Sequence, residues 1–434
     1  MSPSSLKQQL SIEKSNSTNN NLSHQPQPQQ PVKEVIETEV KEVNEEEEED
    51  LQSLQLKLAN MTPTNNTTTN KNVLTPYIKS LMLDPPNLTP NDLSQVLKAI
   101  FQGAPSEVQT AAFLSILRLR GLDQEANFIA AAVTTVLEFA KNIPPETVDL
   151  EGYIDIVGTG GDGQNTFNVS TSAAIIAAGM GLPVCKHGGK ASTSTSGSGD
   201  LLKSLGVDLF NINEQTTPEI VKKSKFCFLF APSFHPGMGT VSHVRSQIGI
   251  PTIFNILGPL INPIPIKARV LGVYSEKLGE SYAQAASILA QKSHIHKRTM
   301  VVFGEVVLDE ISPIGYTKYW MIEGDGEIKT GRISPEDFGL PQHELSLVKS
   351  GTPQENADIL LHILRQDDDA YTVKDKDNHP LVDYILMNSA AVAVIAGLAK
   401  DWKHGVELAK DSIVSGQALK ALQDFQAAVN DIVL

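Results

Sequence analysis

The sequence predicts an α/β protein, with a small all-helical N-terminal domain over residues 73–145 and a larger α/β domain over 146–434 built on a mostly parallel sheet. Three observations carry this. Apolar residues recur at helical spacing from about 74 to 143. After Pro144 and Pro145, short apolar runs alternate with helical stretches. The first of those runs ends in a glycine-rich loop that opens a helix, the usual join of a strand to a following helix in such sheets.

Residues 1–72 precede this and read as a disordered low-complexity tail. They are rich in Asn, Gln, Ser, Thr and Pro, contain QPQPQQP and EEEEED, and offer little to bury. The leucines at 51, 54, 56 and 58 allow one helical turn against a partner, but a solvated tail is the simpler expectation. The helical block has a clear start in Thr89-Pro90-Asn91-Asp92: a cap, a proline at the first helical position and an acid at the third. Leu93, Val96, Leu97 and Ile100 follow on one stripe, and further helices are expected over 106–119 and 123–141. The apolar stripes exceed what one small helical layer needs, so they predict packing against another domain or another copy of the chain. No catalytic constellation lies in this block.

In the second block, strands are expected at 153–157, around Pro183-Val184-Cys185, and at 226–230, 268–274 and 299–303, with a helix over 170–179. In such sheets ligands sit at the carboxyl ends of the strands. Gly158-Thr159-Gly160-Gly161-Asp162-Gly163 stands at one such end and suits close backbone approach to an anion. It satisfies G-x-G-x-x-G formally, but two features oppose a dinucleotide. No acid closes the second strand, where Lys186 and His187 stand, and Asp162 would repel a bare pyrophosphate. Asn168-Val169-Ser170-Thr171 begins the next helix, where Ser170 is either an N-cap or a holder of phosphate or metal-bound oxygen. A second loop, KHGGKASTSTSGSGD at 186–200, joins two cations to glycines and hydroxyls and reads as a phosphate cradle. It is not a Walker A loop, because Ala191 follows Gly189-Lys190.

Composition narrows the partners. The net charge of −15 leaves no basic footprint for nucleic acid or an anionic membrane, so any bound phosphate must be met locally. Only two cysteines are present, Cys185 and Cys227, without zinc-site spacing. With no secretion signal, transit peptide or long apolar run in view, the expected location is cytoplasmic.

GTGGDG, NVST, KHGGKAS with SGSGD, FHPGM, RSQIG, FNILGPLINP and DEISPIG occur in the order and approximate spacing of anthranilate phosphoribosyltransferases. The chain resembles that family from about residue 75 to its end. The resemblance implies a nucleoside phosphorylase/phosphoribosyltransferase-like fold, an active site between a helical and an α/β domain, and a homodimer formed through the helical part. It implies transfer of phosphoribosyl from phosphoribosyl pyrophosphate to anthranilate in tryptophan biosynthesis. By the same resemblance Gly158, Gly161, Asp162, Thr166, Asn168, Ser170, Thr171, Lys186, His187, Gly188, Gly189, Lys190, Ser194 and Ser198 hold phosphoribosyl pyrophosphate. Ser170, Asp309 and Glu310 carry Mg²⁺, and Gly158, Gly189 and Arg245 face anthranilate. The family usually has asparagine where Gly189 stands, so one side-chain hydrogen bond to the acceptor is missing here.

This chemistry needs little acid or base, and no general base is nominated. His187, His235 and His243 are expected to be structural or substrate-lining, and His294 and His296 to be surface residues. The nearest rival is a pyrimidine nucleoside phosphorylase, whose loop resembles GTGG but continues with a lysine. Gln164-Asn165-Thr166 and the paired Asp309-Glu310 oppose it. A nucleic-acid-binding relative would need a basic groove.

Overall fold

The computed structural model describes residues 72–191, 194–374 and 377–432, so the expectation of a disordered tail falls almost wholly outside the described residues. Four helices come first: α1 (Thr75–Met82), α2 (Pro90–Phe101), α3 (Glu107–Leu119) and α4 (Ala126–Glu138). α2 starts where the sequence placed a cap. Asp92 N donates to Thr89 Oγ1 at 3.2 Å and Thr89 N to Asp92 Oδ2 at 2.9 Å, which satisfies amides that the first turn leaves without partners. Leu93, Val96, Leu97 and Ile100 are all buried. α4 begins later than expected because Leu122–Gln124 forms a separate 3-10 turn.

The larger region runs β1 (Tyr153–Gly158), α5 (Val169–Gly179), β2 (Val184–Gly188), α6 (Ser198–Ser204), α7 (Thr217–Lys223), β3 (Phe226–Phe230), α8 (Ser242–Ile248), β4 (Ile266–Gly272), α9 (Glu276–Ala290), β5 (Arg298–Gly304), β6 (Thr317–Glu323) and β7 (Ile328–Ile333). It closes with α10 (Pro353–Arg365), α11 (Pro380–Ile395), α12 (Trp402–Val414) and α13 (Gln417–Asn430). The sheet order is β3-β2-β1-β4-β5-β6-β7, parallel from β3 to β5 and antiparallel from β5 to β7. The sequence reading did not anticipate β6 and β7. Lys318, Lys329 and Arg332 break any continuous apolar run there, as suits antiparallel strands with one wetted face.

β1 is the centre of the topology. The chain leaves it toward β2 and β3 on one side and returns to β4 and β5 on the other, so the carboxyl ends of β1 and β4 form the switch point where such sheets open a ligand crevice. Side chains alternate across the sheet. Ile154 and Ile156 enter a core with α5, α10, α11, α12 and α13, whereas Val157, Leu271 and Val301 face α9 and the N-terminal helices. α11 is buried on nearly every side, and its long apolar sequence reflects this.

The surplus apolar surface of the helical region is taken up mainly within the chain. The Phe101 ring meets that of Phe254 at a tilt, with centroids 6.2 Å apart, and Val241, Ile253, Ile256 and Leu257 join the same cluster. Met82, Leu83, Val108 and Leu119 stay exposed on this region. One expectation is corrected: His294 is exposed, but His296 is buried, with its ring facing Thr299 Oγ1 at 2.9 Å. The turn into β5 folds it inward against the first inward-facing position of the strand, a long-range consequence invisible in the local sequence.

Candidate active site

Beyond Gly158 the loop turns through Gly160, Gly161 and Gly163, all at positive φ, before α5 begins. Its first anion belongs to the protein. Gly160 N donates to Asp309 Oδ2 at 2.6 Å, and Asp309 N donates to Asp162 Oδ2 at 3.4 Å. Gly158 and Gly272, paired in register on β1 and β4, are glycines for this reason. A Cβ at Gly158 would lie 2.2 Å from Asp309 Oδ2, and one at Gly272 would lie 1.5 Å from Asp309 O.

Lys186 lies on β2 and is buried; its ammonium donates to Ile156 O and to Ser170 Oγ, the latter at 3.3 Å. Burial lowers its pKa, and the carboxylates of Asp155, Glu310 and Asp309 oppose that. Ser170 is the second residue of α5, not its cap, so its hydroxyl borders the cavity, where it meets Lys186 and the Glu310 carboxyl. The carboxyl of Asp309 is pushed well above the usual range by burial, then by Glu310 and Asp162. Glu310 is raised to about 7 by burial and by Asp162, with Lys186 acting against the rise. Asp162, Asp309 and Glu310 thus cluster beside the buried ammonium of Lys186.

Among the described residues, no three His, Cys, Asp or Glu side chains are arranged to hold a metal by themselves. Mg²⁺ is commonly held by one or two carboxylates together with substrate phosphates, so the hard oxygens of Ser170, Asp309 and Glu310 fit it as part of such a set.

These groups line one cavity of about 290 Å³. Gly158, Gly161, Asp162, Thr166, Asn168, Ser170, Lys186, His187, Gly188, Gly189, Lys190, Ser194, Ser198, Asp309 and Glu310 all border it. Two expected residues do not. Thr171 lies one layer behind and donates to Ser198 Oγ at 2.9 Å. Arg245, on α8, is half-buried with its guanidinium over the Phe254 ring at 5.6 Å. Its guanidinium makes no hydrogen bond or ion pair among the described residues.

His187 is buried with Nδ1 3.0 Å from Gly258 O, and its ring meets His235 edge-on at 5.0 Å. Among the described residues, His187 Nε2 and both ring nitrogens of His235 have no hydrogen-bond partner. Burial lowers His187 to about 3, with His235 and Lys186 adding to the effect, and burial lowers His235 to about 4. Both are neutral at pH 7, as suits structural or lining groups. His243 is on the surface, paired with Glu107 at 3.0 Å.

Sequence reasoning missed the layer beneath. Asn388 on α11 grips both backbone groups of Ile311, the residue after the acid pair, at 3.3 Å each. Tyr384 OH lies 3.5 Å from Thr166 Oγ1. Both sit within apolar helical sequence; an isolated polar residue at a core position was the only available signal.

Residues 75–140 match the glycosyl transferase family helical bundle domain, and residues 150–419 match the glycosyl transferase family a/b domain. The chain is 43% identical over 380 residues to the anthranilate phosphoribosyltransferase of Saccharomyces cerevisiae, covering 82% of this chain and 98% of that one. Two solved structures of the Saccharomyces cerevisiae enzyme superpose well. The complex with PRPP and Mg has a TM-score of 0.76 at 42% identity, covering 84% of this chain and 100% of that one. The complex with 4-fluoroanthranilate has a TM-score of 0.75 at 41% identity, covering 84% and 99%.

Proposed function

Because this chain belongs to the anthranilate phosphoribosyltransferase family, we propose a division of labour for its site in that reaction. The enzyme transfers the phosphoribosyl group of phosphoribosyl pyrophosphate to anthranilate, giving N-(5-phosphoribosyl)anthranilate and pyrophosphate, in L-tryptophan biosynthesis. The observation that carries the assignment of roles is the polar cavity at the switch point, where backbone amides, hydroxyls and Lys186 surround a cluster of acids.

The glycine-rich loop, with Thr166, Asn168 and the hydroxyls of Ser194 and Ser198, binds the phosphates and ribose. Ser170, Asp309 and Glu310 would hold Mg²⁺, which when bound supplies positive charge against the leaving pyrophosphate. Lys186, fixed by Ile156 O, adds a preorganised cation on the same side. The ribose carbon–oxygen bond to pyrophosphate breaks as a carbon–nitrogen bond to the aromatic amine forms, and the amine proton passes to solvent. With His187 and His235 held neutral and weakly basic, positioning and electrostatics supply the rate. Gly158 and Gly189 face the acceptor, and Arg245, whose guanidinium has no acidic partner among the described residues, fixes the anthranilate carboxylate.

The exposed Met82, Leu83, Val108 and Leu119 support a homodimer through the helical region. Both thiols are free, in keeping with a cytoplasmic location. The test is product fluorescence: signal must appear from anthranilate only when phosphoribosyl pyrophosphate and Mg²⁺ are present. Phosphorolysis of a pyrimidine nucleoside, with no such signal, would support the rival reaction instead.

A further inference from the structure

We propose that Asn356, outside the cavity on α10, is a positioning residue for phosphoribosyl pyrophosphate: it orients Asn168 and thereby locks the glycine-rich loop to the hydroxyl loop. The inference rests on the transfer reaction above.

Asn356 is fully buried, which costs free energy unless its amide is satisfied. Each polar atom has a partner. Gly351 N donates to Asn356 Oδ1 at 2.9 Å, which turns the amide nitrogen the other way. That nitrogen then donates to Asn168 Oδ1 and to Ser350 Oγ, both at 2.8 Å. Asn168 Oδ1 also accepts from Ser196 Oγ at 3.0 Å, and Asn168 Nδ2 donates to Ser196 O at 2.9 Å. The chain of bonds is directional. A backbone amide orients Asn356, Asn356 presents only donors to Asn168, and Asn168 Oδ1 therefore faces Asn356 and the Ser196 hydroxyl while its amide nitrogen donates to Ser196 O.

The segment just before α10 reinforces this. Phe167 N donates to Val348 O at 2.8 Å and Ser350 N donates to Asn165 O at 2.9 Å. Asn165 in turn accepts from Thr195 N at 2.7 Å. The two loops meet at an exposed point, Asn165 with Thr195, and at a partly buried one, Asn168 with Ser196. The first point is held from below by a backbone bond from Ser350 to Asn165, and the second by the side chain of Asn356. Asn168 and Ser196 both border the cavity, so their relative placement sets the shape that phosphate and ribose meet.

The experiment measures phosphoribosyl pyrophosphate binding by calorimetry with Mg²⁺ and no anthranilate, alongside steady-state kinetics and thermal melts. The variants are Asn356→Ala, Asn356→Asp, Asn168→Ala and the double Asn356→Ala/Asn168→Ala. Both Asn356 variants are expected to weaken phosphoribosyl pyrophosphate binding and raise its KM about tenfold, the scale of one misdirected buried hydrogen bond, with the KM for anthranilate little changed. The double variant is expected to bind within about threefold of Asn168→Ala, because Asn356 acts through Asn168. Asn356→Asp keeps the shape and presents an acceptor to Asn168 Oδ1, so it provides the result if the alanine variant does not fold. Unchanged binding in the folded variants, with only a lowered melting temperature, would overturn the proposal. Losses that multiply in the double variant would also overturn it. Failure of the native chain to bind phosphoribosyl pyrophosphate would instead count against the reaction itself.

Discussion

His235→Phe should flatten the fall of stability with acid. His235 is 4% exposed, neither ring nitrogen has a hydrogen-bond partner among the described residues, and burial holds its pKa near 4 against an ordinary value of 6.5. Below pH 6.5 the unfolded chain therefore takes up a proton that the folded chain refuses. The stabilisation is fully present above pH 6.5 and is lost as pH falls through the window toward about 4. At about 1.36 kcal/mol for each pH unit, this one ring costs about 2 kcal/mol of stability between pH 8 and pH 5. Phenylalanine cannot titrate and keeps the edge-on contact with His187. Urea denaturation at pH 8, 7, 6 and 5, with protein concentration held fixed because association shifts apparent stability, gives the curve for each form. The comparison is of slopes, so a constant packing penalty from the larger ring drops out. The variant should lose about 2 kcal/mol less than the native protein by pH 5. Parallel curves would refute the reasoning and place a proton or a polar partner on His235 in the folded state.

Replacing Asp309 with Asn and Glu310 with Gln together should lower turnover at least ~100-fold, the scale of lost transition-state charge stabilisation; a double variant still active and still Mg²⁺-dependent would put the metal elsewhere. Arg245→Ala should cut kcat/KM for anthranilate by roughly 10-fold to 150-fold, the range for hydrogen bonds to a charged group, while calorimetry shows phosphoribosyl pyrophosphate affinity little changed. The opposite pattern would remove Arg245 from the acceptor pocket. Among the described residues an added Cβ at Gly189 meets nothing within 4 Å, and its backbone is not in the left-handed region, so Gly189→Asn should be accommodated. The new amide should lower the anthranilate KM by up to about tenfold, the worth of one hydrogen bond; a raised KM would mean the acceptor needs that space.

Local chemistry in the sequence determined a good deal by itself. Thr89 and Asp92 start α2 through bonds three residues apart, and the five parallel strands are short apolar runs bounded by turn residues. The motifs that line the cavity were legible because each is a contiguous loop at a strand's carboxyl end, and the resemblance carried by those motifs supplied the substrates. The tertiary structure decided what depends on distant parts of the chain meeting. Gly158 and Gly272 are glycines because Asp309 occupies the space above them. Asp309 and Glu310 are hard to ionise because folding buries them beside Asp162. His296 turns inward, and Arg245 stands over Phe254 and not at the cavity wall. Asn356 and Asn388 sit in helices whose pattern reports only burial. A hydrogen bond across 188 residues, such as that from Asn356 to Asn168, leaves no periodicity in the sequence, because its geometry exists only once the two loops and α10 have packed.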